Sequence, residues 1–475
     1  MFFKDLLSGI KSMFSKPTDG DNVYAVDKRV SLRRAVPFGL QHVLAMFVSN
    51  VTPLLIVFGA LGIYGTDLAT QSLAGAFFTA GVGTIIQLLL GARLPVVVGT
   101  SFTYVGIFIT IGLSHGGGAD GYYAVLGSAL AGGAISAVLC LFVKWWGRAI
   151  KPIVPCVVVL AIGLSLLKSG ATSYLGGSAV TDKIFSGQEN ALPLYVYPLV
   201  ATLTLLTAVL WQIFAKGVYK SLNIVVGIFV GYLACLCIPG MIDFSALKIN
   251  GVGDVVSYPR LIDLGKLKFD FQSILLTTLF YLMSVAEGIG GVTAICQNAL
   301  DRQPSDREIT GTVVTVNVDS CICSLFGALP VTVYAQNVGI VTQSKIVNRF
   351  SVFVGAVFLV IASFFPIVSN FLLTIPDAVI GGILITLFGS IFVVGIEMCS
   401  KQGFSAKNVL ILSVSVCLGY GLTTVSGLFT YLKSLNLNYL ADMLSNNVLN
   451  MFVISFILSL VLPEDMNFKF GKKNS

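Results

Sequence analysis

Residues 94–106, LPVVVGTSFTYVG, and residues 329–339, LPVTVYAQNVG, follow one pattern. Each stretch opens with Leu-Pro-Val, continues with β-branched residues, turns to small and polar ones and becomes apolar again. The second begins 235 residues after the first, nearly half of the 475-residue chain. Because β-branched residues after a proline favour an extended backbone, each stretch predicts a short strand followed by a half-helix. The alternative is a chance recurrence of Leu-Pro-Val in an apolar chain.

The composition predicts a membrane protein. The mean hydropathy is +0.90, 56% of the residues are hydrophobic and 11% are charged, which is more apolar side chain than one soluble core can bury. The net charge of +7 does not indicate nucleic-acid binding, because the basic residues lie between apolar runs and at the termini. The nine cysteines show neither metal-ligand spacing nor a disulfide framework and are interpreted as packing residues.

Fourteen apolar runs, each about bilayer length or slightly shorter, follow one another along the chain. Numbered from an inside amino terminus, the inside gaps receive most of the lysines and arginines, so both termini are predicted to be cytoplasmic. The outside gap at 241–271 also holds basic residues, but it is long and acidic, and long loops tolerate charge. The runs lie at residues 35–62, 67–90, 94–113, 121–143, 151–168, 192–215, 221–240, 272–298, 309–328, 331–345, 350–372, 376–398, 407–428 and 447–463.

The amino-terminal stretch MFFKDLLSGIKSMFSKP places lysines between its apolar residues, which predicts a helix lying on a membrane surface. It is not a signal peptide, because the first long apolar run has no small-residue cleavage site behind it. The apolar residues of this helix are Phe3, Leu6, Leu7, Ile10 and Phe14.

The two Leu-Pro-Val stretches occupy matching positions in two halves of seven runs each. Since seven is odd, the second half must be inverted relative to the first. Strand backbone at membrane depth is tolerated only where protein buries it or where it lines a cavity. Paired interrupted segments of this kind indicate the binding site of a membrane transporter.

Polar residues inside the apolar runs mark candidate functional positions. Glu287 lies in the eighth run, where an ionised carboxylate is costly enough to indicate function. Gly288, Gly290 and Gly291 follow it and permit close backbone approach or local unwinding. His42 lies in the first run, where a helix-packing hydrogen bond and a role at the site are equally good interpretations.

Two adjacent carboxamides, Gln336 and Asn337, interrupt the tenth run, and hydrogen bonding between helices is one interpretation of them. The string AQNVGIVTQSK around them resembles the signature of the nucleobase-ascorbate transporter family (nucleobase:cation symporter 2, xanthine/uracil permease type). That signature is Gln or Glu, Asn, any residue, Gly, four of any kind, then Thr and a basic residue or Gly. Gln336, Asn337, Gly339 and Lys345 match it, and Ser344 replaces the threonine conservatively.

The strings GLQHVLAMF and GTSF and the Ala-Glu-Gly of the eighth run are similar to further family hallmarks, so the resemblance covers essentially the whole chain. It implies an all-α polytopic membrane protein with fourteen transmembrane segments in two inverted repeats of seven, with short strands in segments 3 and 10. It also implies a homodimer in the cell membrane that transports a nucleobase without a cofactor other than a coupling ion, a proton or in some relatives sodium. The implied parts are a cytoplasmic amino terminus (1–34), a core domain (35–143 and 272–372), a gate domain (151–240 and 376–463) and a cytoplasmic carboxy terminus (464–475).

The resemblance also implies roles at the substrate site. Glu287 would accept hydrogen bonds from ring N–H groups of the base, and Gln336 would hold its other edge with a bidentate carboxamide. Phe102 and Tyr334 would flank the ring. The backbone amides near Phe102 and Ala335 would complete the site, since half-helix amino termini present unpaired N–H donors.

Three residues would support that site without touching substrate. By the resemblance, Asn337 would orient its neighbours and His42 would stand behind the site, linked to the tenth segment. Gly339, the signature glycine, is grouped with them.

The sequence departs from many relatives where those carry titratable side chains. Four residues after the glutamate of the eighth segment it has Gly291, and near the start of the ninth segment it has Val316 or Asn317 in place of an acid. Glu287 is therefore the best candidate proton carrier, and Asp319, one turn beyond the missing acid, is the second. For Asp319, a helix-end or interfacial role is an equally good interpretation.

Gln336 decides the expected substrate class. Uracil-preferring relatives tend to have Glu at this position and purine-preferring ones Gln, so the resemblance favours xanthine or urate. A carboxamide offers donor and acceptor together, which matches a purine edge with a carbonyl beside an N–H. The alternatives are a uracil or other nucleobase permease, an inorganic-anion carrier of related architecture, which would lack an obligatory carboxylate, and a non-transporting scaffold or receptor.

Overall fold

The computed structural model describes residues 2–15, 23–146, 151–187, 192–216, 223–244, 255–425 and 427–463, so the predicted carboxy terminus (464–475) and part of the amino terminus lie outside the described residues. Most of the described chain is α-helical. The first ten helices are α1 (Phe2–Phe14), α2 (Leu32–Leu61), α3 (Asp67–Leu89), α4 (Val105–Ser114), α5 (Gly118–Cys140), α6 (Val143–Trp146), α7 (Ile153–Tyr174), α8 (Ser178–Phe185), α9 (Val196–Phe214) and α10 (Asn223–Leu236). The others are α11 (Phe271–Ala299), α12 (Asp306–Leu325), α13 (Ala335–Ser344), α14 (Arg349–Ser363), α15 (Pro366–Leu373), α16 (Asp377–Lys401), α17 (Ala406–Thr424), α18 (Leu428–Ser434), α19 (Asn438–Leu444) and α20 (Asn447–Val461).

The long apolar helices lie where the hydropathy predicts them. By length and composition, eight helices of the described chain are able to cross a membrane, and the bent pair α14 and α15 adds a ninth if it forms one span. The shorter apolar helices are Phe102–Ser114, Asn223–Leu236 and Asn447–Val461. The predicted class, a mostly helical membrane protein, is confirmed at this level.

The eleventh predicted run, 350–372, is not one continuous helix. Helix α14 ends at Ser363, α15 begins at Pro366, and the two axes differ by 81°. Proline is accommodated at the first position of a helix, but it has no N–H with which to continue the ladder of a preceding one. The apolar run at 350–372 therefore contains a break that its hydropathy does not indicate.

The two predicted strands are confirmed. Strand β1 (Val98–Thr100) and strand β2 (Val331–Val333) pair antiparallel, with Val98 opposite Val333. Each strand leads into a half-helix, a 3₁₀ turn (Phe102–Tyr104) with α4 in the first case and α13 in the second. We call residues 94–114 the first Leu-Pro-Val segment and residues 329–344 the second.

The strand pair is symmetric with respect to the repeats. Val333 follows Val98 by 235 residues, the same offset that separates the two Leu-Pro-Val tripeptides. The ladder is extended at both ends, by Ser101 N–H donating to the Pro330 carbonyl (2.9 Å) and Tyr334 N–H donating to the Val97 carbonyl (3.0 Å). Val98 and Val333, equivalent residues of the two halves, therefore face each other at one end of the three-residue ladder.

Contacts divide the chain into two compact units, the first comprising Met1–Phe142 and Ser169–Leu387. Within it, α2, α3, α11 and α12 contact the strand pair, α5 packs against α11 and α12, and α14 packs against α2 and α3. Glycines allow the backbones to approach closely. A Cβ at Gly39 would lie 2.7 Å from the backbone nitrogen of Gly355, so α2 and α14 cross at this pair without side chains between them.

The predicted amphipathic helix forms as α1, and part of its apolar face contacts the protein. Met13 is fully buried, and the ring of Phe14 packs edge-on against the rings of Phe350 and Phe353. Arg349, which is 1% exposed, pairs with Asp27 and donates to the Leu88 carbonyl. These contacts fix α1 and the chain that follows it to the ends of α3 and α14.

The second unit comprises Val143–Lys168 and Phe388–Ser475. Within it, α17 packs against α20, and residues of α7 pack against the carboxy-terminal part of α16. A Cβ at Gly163 would lie 2.5 Å from the Cα of Phe392, and a Cβ at Gly395 would lie 2.6 Å from the Cα of Leu160. The two helices therefore touch along their backbones.

Candidate functional site

Glu287 lies midway along α11 and is hydrogen-bonded by both Leu-Pro-Val segments. The Thr103 hydroxyl donates to Oε1 at 2.5 Å, and the Thr332 hydroxyl donates to Oε2 at 3.0 Å. Hydrogen bonds to an ionised carboxylate are stronger than neutral ones, so each contributes to holding the carboxylate in place. The half-buried Glu287 thus connects α11 to the first turn after β1 and to the middle of β2.

Phe102 begins the half-helix of the first segment, and its side chain is 9% exposed. Ser101 caps this turn, because its hydroxyl accepts from the Thr103 N–H at 3.2 Å. Behind Phe102, the ring of Tyr104 packs against Phe108 and Tyr281. The first segment therefore reaches the site as a capped turn anchored by aromatic packing.

Tyr334 immediately precedes the half-helix of the second segment, and its side chain is 4% exposed. Its hydroxyl donates to the Thr100 carbonyl at 3.0 Å. A Cβ at Gly99 would lie 2.6 Å from Cε2 of the Tyr334 ring, so the ring covers β1 where β1 has no side chain. Gly99 and Tyr334 are equivalent positions of the two repeats, 235 residues apart.

Gln336 is half-buried in the first turn of α13, and its carboxamide has no hydrogen-bond partner among the described residues. Ala335 is the first residue of this helix, and the preceding Tyr334 provides no side-chain cap. The first N–H groups of a helix have no partner within the helix. The second segment therefore presents backbone donors and a carboxamide that are available to a ligand.

Gly339, on the next turn of α13, has open space beside it. A Cβ at this position would meet nothing within 4 Å. The signature glycine is thus not required for packing within the described protein.

Asn337 and His42 meet behind the half-helix. The Asn337 Nδ2 lies 3.0 Å from the His42 Nδ1 and donates to the His42 carbonyl at 3.0 Å. Both side chains are buried, at 1% and 4% exposure. The pair connects α13 to α2, the link that the resemblance implies for His42.

Asp319 lies apart from these contacts, on α12. Its side chain is 1% exposed, and neither carboxylate oxygen has a hydrogen-bond partner in the described part of the chain. The carboxyl group fills the space beside Gly83 of α3. On the next residue, the Ser320 hydroxyl accepts from the Val331 N–H at 3.1 Å, so α12 contacts β2 beside the buried acid.

Gly291, the position at which the resemblance implies a titratable side chain, has no open space beside it. A Cβ at Gly291 would lie 2.7 Å from Cγ1 of Val333. The space of the missing side chain is therefore occupied by a residue of β2.

Sequence reasoning missed Thr103, Thr332 and Asn50. The Asn50 Oδ1 accepts from the Thr100 N–H at 2.9 Å, and its Nδ2 donates to the Ala76 carbonyl at 3.2 Å. The available signal was position: both threonines lie inside the Leu-Pro-Val stretches, and Asn50 is a polar residue in the first apolar run.

Comparison with solved structures supports the fold. The transmembrane domain of the cyanobacterial bicarbonate transporter BicA superposes with a TM-score of 0.57 over 90% of this chain and 97% of that chain, at 14% sequence identity. A likeness at this identity shows that the two proteins share a fold.

Comparison with characterised sequences gives the family. The chain is 29% identical to the xanthine permease XanQ of Escherichia coli over 427 residues, 87% of this chain and 89% of that protein. It is 31% identical to the uric acid permease PucK of Bacillus subtilis over 400 residues, 83% and 88% of the two chains. The model of the permease family Xan_ur_permease matches residues 33–428. The chain is therefore a multi-pass membrane protein that belongs to this permease family, whose members are transporters rather than enzymes.

Proposed function

We propose that the protein is a secondary active transporter that imports a purine nucleobase, xanthine or urate, by proton symport. The observation that supports this most directly is the position of Glu287, which both Leu-Pro-Val segments hold through hydroxyl groups. The names of the relatives, a xanthine permease and a uric acid permease, agree with the substrate class. Uracil or another nucleobase is the alternative within the family.

The proposed binding mode combines groups from α11 and from both Leu-Pro-Val segments. Glu287 accepts from ring N–H groups, since an ionised carboxylate offers acceptor positions beyond the two that the threonines occupy. Gln336 binds the opposite edge through its carbonyl and its NH₂ group, neither of which has a partner in the described chain. Phe102 and Tyr334 flank the ring, and the N–H groups near Phe102 and Ala335 bind carbonyl oxygens of the base.

The proposed proton carrier is Glu287, with Asp319 as the second candidate. Asp319 has no partner among the described residues, and an unpaired charge in an apolar interior is costly, so its neutral form fits the observed surroundings. Gly291 provides no alternative carrier, and Val333 fills the space beside it. Proton uptake at Glu287 would couple ion and substrate directly, because the same carboxylate binds the base.

The proposed architecture is that of fourteen segments in two inverted repeats, divided into a core domain (35–143 and 272–372) and a gate domain (151–240 and 376–463). The strand pair supports an inverted repeat, because Val98 and Val333 are equivalent positions that pair antiparallel. We propose further that the protein is a homodimer in the cell membrane with both termini in the cytoplasm. Labelling of cysteines introduced into 1–34 and 464–475 tests the topology, and one terminus outside would contradict it.

Transport of an inorganic anion is the alternative function outside nucleobase transport. The shared fold with a bicarbonate transporter does not favour it, because the likeness is one of architecture alone. A carboxylate at the meeting point of the two half-helices would repel a small anion.

Substrate competition is the decisive experiment. Uptake of radiolabelled xanthine into cells that lack nucleobase transporters is measured against excess urate, guanine, hypoxanthine and uracil. We expect strong competition by urate and weak competition by uracil. Competition by uracil alone would indicate that the protein is a uracil permease. Absence of xanthine uptake with retained bicarbonate or sulfate uptake would overturn the proposal.

A further inference from the structure

Two buried cysteines of the second unit lie opposite each other where α7 and α16 cross. The contacts between Gly163 and Phe392 and between Leu160 and Gly395 define the crossing. Moving along α7 by four residues from Leu160 leads to Cys156, and moving along α16 by four residues from Gly395 leads to Cys399. In an antiparallel helix pair, this step of about one turn on each helix predicts that the two cysteines face each other.

The side chains agree with this register. The Cys156 thiol lies within hydrogen-bonding reach of the Cys399 thiol, and both residues are at most 2% exposed. The Cys156 thiol also lies 3.1 Å from the Pro152 carbonyl. Both cysteines are present as free thiols.

We propose that Cys156 and Cys399 form a redox-active dithiol, which hydrogen peroxide converts to a disulfide that fastens α7 to α16. A disulfide requires Cα atoms about 4.4–6.8 Å apart, a distance that facing residues reach where two helix backbones approach closely. The glycines at the crossing remove the side chains that would keep the backbones apart. The bond can therefore form without rearrangement of the helices.

The reaction needs no group beyond the two thiols and the peroxide. One sulfur attacks a peroxide oxygen, the O–O bond breaks, water leaves and a sulfenic acid forms. The second sulfur attacks the sulfenic sulfur, the S–S bond forms, the S–O bond breaks and a second water leaves. The two sulfurs are oxidised by two electrons in total, and the peroxide is reduced to two molecules of water.

The cysteine pair lies near the boundary between the apolar core and water, where a small oxidant is able to reach it. Cys156 lies in the first turn of α7, shortly after Lys151, and Cys399 lies in the last turn of α16, which ends at Lys401. Lysines at helix ends mark the boundary between apolar core and water. A small uncharged oxidant reaches buried thiols near that boundary more readily than a charged or bulky one.

Thiol counting on the full-length protein tests the proposal. The exposed cysteines Cys237 and Cys417 are first replaced by alanine, because they react without a partner. The protein in membrane vesicles is treated with hydrogen peroxide, denatured and labelled with a polyethylene-glycol maleimide. We expect loss of two of the seven remaining labels per chain, recovery of both with dithiothreitol, and a peptide cross-link between Cys156 and Cys399.

Matched variants decide whether the pair is responsible. Cys156→Ala and Cys399→Ala should each abolish the reversible loss of two labels, whereas Cys235→Ala, at another buried cysteine, should retain it. Oxidised protein should also melt at a higher temperature than reduced protein, and this difference should vanish in Cys156→Ala. An unchanged label count in the parent protein, or an equal loss in both pair variants, would overturn the proposal. Neither readout depends on transport or on its substrate.

Discussion

In the first Leu-Pro-Val segment the half-helix is capped by Ser101, whereas in the second it follows Tyr334 and has no side-chain cap. At equivalent strand positions, the first segment has Gly99 and the second has Tyr334, whose ring lies against that glycine. Each segment also donates one hydroxyl to Glu287. Repeats with similar backbones thus differ in their side chains: the half-helix of the first has a side-chain cap, and the half-helix of the second has none.

The largest effect should come from removing the acceptor that both segments share. Glu287→Gln replaces one carboxylate oxygen by an NH₂ group, so one threonine hydroxyl loses its acceptor and the base loses a charged partner. We expect xanthine uptake to fall roughly 100-fold or more, since several charge-assisted hydrogen bonds are lost together. Uptake is measured at equal surface expression. Glu397→Gln, at an exposed carboxylate of α16, is the control and should retain uptake. Wild-type uptake by Glu287→Gln would refute the site.

The second effect tests how tightly the two segments are packed around their glycines. Gly99→Ala adds a methyl group 2.6 Å from the Tyr334 ring and 2.7 Å from the Met46 methyl carbon, so it should destabilise the protein by about 1–3 kcal/mol. Gly339→Ala adds a methyl group into open space and should be neutral or stabilising, because alanine favours helix by about 1 kcal/mol. Melting temperatures in detergent provide the measurement. An equal fall in both variants would show that the segments are packed alike.

The third effect concerns the free carboxamide of the second segment. Gln336→Ala should weaken xanthine binding by about 1–3 kcal/mol, roughly 5- to 100-fold, because a buried partner on the base is left unpaired. Gln336→Glu should weaken it as well, most severely for anionic analogues, and acidification should restore part of the affinity because it neutralises one of two like charges.

Competition profiles of these two variants and of Asn337→Ala distinguish a residue that recognises the base from one that holds the half-helix in place. Asn337→Ala removes the contact with His42 and should lower the transport rate more than it changes which bases compete. Identical base selectivity in all three variants would mean that Gln336 is a packing residue.

The smallest effect should come from the single hydroxyls on Glu287. Thr332→Val and Thr103→Val each remove one donor, and uptake should fall roughly 3- to 10-fold, as for one hydrogen bond of about 1 kcal/mol. The loss at Thr103 should be the larger, because its contact is shorter, 2.5 Å against 3.0 Å. Serine at either position keeps the hydroxyl and should restore uptake. If serine behaves like valine, the threonine methyl groups matter instead of the hydroxyls.

The sequence predicted the features that have local causes. Proline followed by β-branched residues predicted both strands, and the cost of a carboxylate in a membrane drew attention to Glu287. Asp319 was recognised as a candidate, but its lack of a hydrogen-bond partner among the described residues depends on how α12 packs against α3, which no local pattern encodes.

The two threonines were missed for a similar reason. A threonine in a membrane helix usually bonds to the carbonyl four residues earlier, as Thr204 and Thr293 do. Thr103 and Thr332 lie in the turn and the strand instead, so their hydroxyls are free to reach another helix. Their target, Glu287, is distant in sequence, and only the packing of the two halves brings them together.

The hydrogen bonds of the strand pair also bear on the order in which the protein is made. Strand β1 is synthesised more than two hundred residues before β2, so it enters the membrane without its partner. Residues already present can hold it: the Thr84 hydroxyl accepts from the Val98 N–H at 3.2 Å and Asn50 accepts from the Thr100 N–H. Each half therefore stabilises part of its own strand, and the growing chain need not leave those amides exposed to lipid while it waits for the second half.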